Sequence, residues 1–269
     1  MKTRLITAAV AIAVFIVIIY MLPPAAAVAA FCALCAIAAY ELLGATGALK
    51  GHPLLWVSCA FAGCMPLLTC FGGGEALLAG VYAYACISFI WAIFDYKRLG
   101  FSQVAEGFLG AFVIPFLLSS IIRIMMASDQ GRWYLLMPFI AAWCSDSAAY
   151  IVGRCCGRHK LAPHVSPKKT VEGAVGGLAG GVIGMLLFGF AISRGLDVQP
   201  DYWLLALAGA VGAAVGQCGD LAMSLIKRNC GIKDYGKLFP GHGGVLDRFD
   251  SVLFTAPLFE IMLTFTGIL

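Results

Sequence analysis

Long apolar runs fill the chain, and polar residues gather in the short breaks between them. Nine runs are long enough to cross a bilayer, at roughly 5–22, 25–44, 53–72, 76–94, 107–127, 132–153, 171–192, 201–226 and 251–268. A spanning helix needs about 18 or more such residues. Pro23-Pro24 separates the first two runs, Gly72-Gly73-Gly74 the third and fourth, and Gln199-Pro200 precedes the eighth. The pattern predicts an all-α, polytopic membrane protein with about nine transmembrane helices. About five of them make an N-terminal region, residues 1–130. Residues 131–269 hold the rest, with two long polar loops at about 154–170 and 227–250.

Composition strengthens this picture. Apolar residues make up 61% of the 269 positions and charged residues only 12%. That is about half the usual charged share, too little to coat a soluble domain. A soluble enzyme, a disordered chain and a nucleic-acid binder are all disfavoured. Lys2 and Arg4 before an apolar run, with Ala25-Ala26-Ala27 after it, mimic a secretory signal peptide. The run is long for that and another follows at once, so a retained helix is expected.

Placing the N-terminus in the cytoplasm puts all of the 18 Lys and Arg on one side except Arg123, Arg132 and Arg194. This asymmetry predicts a multi-pass protein of the cell membrane with both long loops cytoplasmic.

Other patterns point to packing. The 11 cysteines mostly lie in apolar runs or at their ends. Cys32 and Cys35 lack a second pair at metal-ligand spacing, and Cys155, Cys156, His159 and His164 match no standard zinc pattern. In the seventh run Gly173, Gly177 and Gly181 repeat at four, as do Gly176, Gly180 and Gly184, which suits close helix approach in lipid. No phosphate-binding P-loop sequence occurs.

Chemistry needs polar groups, and these converge toward the loops. Asp146 lies eight residues before Arg154 and Asp220 seven before Lys227. At about 1.5 Å per helical residue, both sit roughly 10–12 Å below the loops. A carboxylate there costs on the order of 3 kcal/mol unless paired or hydrated. Ser224 and Lys227 share the helix face of Asp220, and Tyr150 that of Asp146. Glu41 and Glu260, in other apolar runs, are read as interhelical hydrogen-bond formers.

Ser166-Pro167-Lys168-Lys169-Thr170 sets two cations among hydroxyls at a helix start, which suits a phosphate. The loop from Lys227 to Asp250 mixes bases with Asp234, Asp247 and Asp250. Its Gly241-His242-Gly243-Gly244 offers unhindered N–H groups for an anion. Asp220, Asp247 and Asp250 supply oxygen ligands, which favour Mg²⁺ over zinc. These residues imply a metal-dependent phosphoryl or nucleotidyl transferase working on a membrane-bound substrate, with the nucleotide left open.

The stretch SLIKRNCGIKDYGKLFPGHGGVLDRFD, Ser224 to Asp250, resembles the signature of the phosphatidate cytidylyltransferase (CDP-diglyceride synthase) family. That pattern runs S-x-apolar-K-R, K-D four residues on, then P-x-H-G-G-x-x-D-R-x-D. DSAAYIVGR at 146–154 and SPKKTVEG at 166–173 resemble an upstream family block. Val171 departs from it, since members often carry Trp there, and Cys155-Cys156 is unusual.

The resemblance implies that CTP and phosphatidic acid give CDP-diacylglycerol and pyrophosphate. It implies Asp220 and Asp247 as ligands of Mg²⁺, with Asp250 and Asp146 as weaker ones and a second cation as an option. Lys168, Lys169, Lys227, Arg228 and Arg248 would neutralise phosphates, and His242, Gly243 and Gly244 would line the nucleotide pocket. Ser166, Thr170, Ser224, Lys233 and Asp234 join the substrate-binding set. CTP, phosphatidic acid and membrane lipid are the expected partners, with a homodimer permitted by the glycine faces and no nucleic acid. The competing readings are a transporter and another CTP-using membrane enzyme, such as a polyprenol kinase or an ether-lipid synthase.

Overall fold

The computed structural model describes residues 2–266 except 197, 240 and 242. It is almost wholly helical: α1 (Lys2–Ile16), α2 (Pro24–Thr46), α3 (Leu54–Phe71), α4 (Gly73–Phe94), α5 (Phe101–Phe108), α6 (Ile114–Met126), α7 (Gly131–Tyr134), α8 (Leu136–Cys156), α9 (Val171–Gly195), α10 (Tyr202–Asn229), α11 (Leu246–Phe249) and α12 (Val252–Thr266). A two-stranded hairpin, β1 (Lys160–Ala162) and β2 (Ser166–Thr170), lies between α8 and α9. Among the described residues seven helical segments are long and apolar enough to span a membrane, and shorter apolar helices lie near either end. The protein is therefore a polytopic all-α membrane protein. Of the nine runs, the first and last form these shorter helices.

The chain divides into two compact units. The first joins residues up to Met126 with Cys230–Arg248. In it α2 buries Phe31, Cys35, Ala38, Ala39, Leu42 and Leu43. Against α2 pack α3, with Leu54, Ala62 and Met65 buried, and α6, with Leu118 and Ile121 buried. Tyr84 of α4 is also buried, and its hydroxyl bonds Ser58 Oγ at 2.8 Å, which satisfies both polar groups in an apolar setting. A wide helical turn at Leu109–Val113 links α5 to α6, so Phe101–Met126 forms one long apolar segment.

The second unit holds Ala127–Asn229 and Phe249–Leu269. Its organising element is α9, whose glycines lie against both α8 and α10. A Cβ on Gly176 would overlap Val152, one on Gly180 would overlap Ala148, and one on Gly184 would overlap Cys144, all on α8. Gly181 instead lies against Gly209 and Ala213 of α10. The backbones approach closely because no side chain intervenes, which is how helices associate without a hydrophobic drive in lipid. Replacing Gly181 with Leu should cost about 1–3 kcal/mol by overpacking. A lowered Tm of the detergent-purified variant checks this, and an unchanged Tm would contradict the close crossing.

A charged cavity and a clasped glycine loop

The hairpin has a physical cause. Pro163 opens the turn, and Val165 N–H donates to Ala162 O at 3.2 Å. The strands pair antiparallel, with Lys160 opposite Thr170 and Ala162 opposite Ser166. Residues 160–170, read from sequence as loop, are thus ordered backbone. β2 runs straight into α9, and Thr170 Oγ1 caps that helix by accepting Gly173 N–H at 3.1 Å. At the base of the hairpin Glu172 accepts N–H groups from Arg158 and His159 and pairs with His159 Nδ1 at 2.6 Å. Arg228 Nε, near the end of α10, donates to Val165 O at 3.3 Å.

This arrangement presents Lys168 and Lys169 to a cavity of about 430 Å³ within the second unit. Asp146, Tyr150 and Arg154 of α8 line it, as do Thr170, Gln217 and Asp220. Lys169 Nζ is buried and lies 2.5 Å from Asp220 Oδ2. Ser224 donates to the other oxygen of Asp220 at 3.3 Å. Lys227 shares the helix face of Asp220, but the carboxylate pairs with Lys169 of the hairpin. Lys227 is buried and lies 3.8 Å from Asp250 Oδ2. Asp250 precedes α12, and Ser251 beside it donates to Asp146 Oδ2 at 3.4 Å. Burial pushes the Asp250 carboxyl up to about 7; the negative charges of Asp220 and Asp146 add to the rise and Lys227 opposes it.

Gln217 was missed from sequence. Its Nε2 donates to Ser145 Oγ and to Ala174 O, both at 3.1 Å, and so ties α10 to α8 and α9 at the cavity wall. Its signal was a carboxamide inside an apolar run. Ser166 stands at the start of β2 and does not line the cavity.

The remaining candidates belong to the first unit. Lys233, Asp234 and Arg248 are exposed. Asp247 is buried, and its Oδ2 accepts N–H groups from Tyr235 at 2.8 Å and Gly244 at 2.9 Å. Gly243 has φ 86°, a left-handed turn beside the Asp247 carboxylate. Phe239 and Gly243 form an isolated bridge. His242 lies outside the described residues. Glu41 of α2 accepts the N–H groups of Val245 and of Leu246, the first residue of α11, each at 3.0 Å.

The carboxylates that line the cavity, Asp146 and Asp220, offer oxygen donors, and the Ser224 hydroxyl bonds Asp220. Such a set suits a hard divalent cation. Among the described residues no three His, Cys, Asp or Glu side chains already converge as a ligand group; Lys169 and Lys227 hold Asp220 and Asp250 instead.

Carboxylates and adjacent lysines lining one cavity large enough for polar headgroups fit phosphate chemistry. The profile of the cytidylyltransferase family matches residues 2–266. The chain belongs to the cytidylyltransferase family. It is 36% identical over 186 residues to the phosphatidate cytidylyltransferase of Staphylococcus epidermidis, covering 69% of each chain. It is 44% identical over 135 residues to that of Staphylococcus haemolyticus and 42% over 135 residues to that of Staphylococcus aureus. The matched stretch spans about half the length of those two relatives.

Proposed function

We propose that this cytidylyltransferase acts on phosphatidate: CTP and phosphatidic acid give CDP-diacylglycerol and pyrophosphate. The single observation that carries the reading is the cavity in which Lys168, Lys169 and Arg154 face Asp146 and Asp220. Cations there offset the charge of a phosphate monoester and a triphosphate, and the family supplies the cytidylyl group. A phosphate oxygen of phosphatidic acid attacks the α-phosphorus of CTP. A new P–O bond forms, the bond to the β-phosphate oxygen breaks, and pyrophosphate leaves. The attacking monoester is already ionised near neutral pH, so no strong general base is required.

The protein's own work is placement and charge stabilisation. Lys169 and Lys168 hold phosphate oxygens, Arg154 receives a second group, and Gln217 and the Thr170 cap fix the walls. In the first unit Arg248 and the Gly243-Gly244 turn serve the nucleotide. Mg²⁺ is the cofactor of this proposal: in the second unit Asp220 would hold it, with Asp146 and Asp250 as further oxygen donors. Bound there, the ion would screen the phosphate charges.

Purified protein with phosphatidic acid, Mg²⁺ and CTP labelled at either phosphorus tests the reaction. Lipid-extractable label should come from the α position alone. Label arriving from the γ position would instead identify a kinase.

The active face is cytoplasmic in this proposal. Counting crossings by the seven long helices alone leaves Lys50, Lys97 and Arg98, the 154–170 segment and the 227–250 segment on one side. Their basic residues make that side the inner one. Lys160→Cys and Lys237→Cys, in a background without exposed cysteines, should resist a membrane-impermeant maleimide in intact cells and react after lysis. Reaction in intact cells would reverse the topology.

A further inference from the structure

We propose that Glu41, in α2 and outside every motif of the signature, is the positioning residue that sets the glycine-rich segment 235–247 for cytidylyl transfer. The catalytic half of this inference rests on the function proposed above.

A carboxylate in an apolar helix is costly unless hydrogen-bonded. Glu41 lies among buried neighbours: Ala38, Ala39, Leu42 and Leu43 are at most 1% exposed. It is satisfied from one direction, by the N–H groups of Val245 and Leu246, and both of those residues are fully buried. Without Glu41 these two donors would lose their acceptor inside the protein, where an unmet hydrogen bond is penalised.

The fit is steric as well as polar. A Cβ placed on Gly236 or on Gly244 would collide with the Glu41 carboxylate. Gly244 also sends its own N–H to Asp247 Oδ2, the atom that accepts Tyr235 N–H. Two buried carboxylates from distant parts of the chain thus gather four backbone N–H groups of one loop. Glu41 sets where the segment sits on α2, and Asp247 closes it on itself. The need for glycine at positions 236 and 244 follows from the first carboxylate.

The test uses the full-length protein in detergent: wild type, Glu41→Ala and Glu41→Gln. Two readouts are taken, the rate of tryptic cleavage after the exposed Lys233 and Lys237, and kcat and KM for CTP. Glu41→Ala should be cut several-fold faster and should lose roughly 10- to 100-fold in kcat, the scale of a small misplacement of reacting groups. Glu41→Gln keeps one carbonyl acceptor but turns an NH₂ toward a donor, so it should fall between on both readouts. It also serves if the alanine variant does not fold. Unchanged cleavage in both variants would overturn the clasp. Faster cleavage with unchanged kcat and KM would overturn the positioning role while leaving the proposed reaction intact. A wild type that transfers no cytidylyl group, yet whose loop loosens in Glu41→Ala, would sink the functional reading and the catalytic half with it.

Discussion

Asp247→Asn is expected to lose activity while its loop stays closed. Two backbone donors among the described residues, Tyr235 N–H and Gly244 N–H, reach the same oxygen of this side chain, Oδ2. An asparagine carbonyl can replace that oxygen and accept both bonds. The substitution therefore removes negative charge and keeps these two bonds that close the segment. If the charge serves metal–phosphate chemistry, turnover should fall roughly 10³-fold or more, as when charge stabilisation at a reacting centre is lost. Tryptic cleavage after Lys233 and Lys237 should stay at the wild-type rate. Asp247→Ala, which lacks the acceptor, should lose turnover and be cut faster as well. If Asp247→Asn kept near-normal turnover with an intact loop, Asp247 would be a loop-closing residue alone.

These assignments also show which features of the chain were readable in one dimension. Helix identity was, because an apolar run of this length has only one way to satisfy its backbone in lipid. The glycine rows of α9 were too, since spacing of four places them on one face, and they do meet α8 and α10. The hairpin was not. Ser166-Pro167-Lys168-Lys169-Thr170 carries little alternation and contains a proline, and only its pairing with Lys160–Ala162 makes it a strand. Partners were harder still. Helical spacing, the only geometry that a sequence supplies, puts Lys227 and Ser224 on the face of Asp220. The ion pair comes from Lys169, 51 positions away in the chain. Glu41 was visible as an out-of-place acid, yet nothing local could say that its donors lie more than 200 residues on.

Asp220 carries the second large expectation. It shares the cavity with Asp146, is held by Lys169 at 2.5 Å and accepts from Ser224. Changing either member of the ion pair strands the other: Asp220→Asn leaves a buried ammonium, and Lys169→Ala leaves a carboxylate at the cavity wall. Each single change should therefore cost most of the activity, and the double change little more, because residues acting as a unit are not additive. A purely structural pair predicts otherwise. Protein yield and Tm would fall, while turnover per folded molecule and its Mg²⁺ dependence would remain. The decisive measurement is the rate of CDP-diacylglycerol formation per folded molecule, across a Mg²⁺ titration, for Asp220→Asn purified in detergent. A loss of roughly 10³-fold at ordinary Mg²⁺ is expected; near-normal turnover with the wild-type Mg²⁺ response would contradict the account.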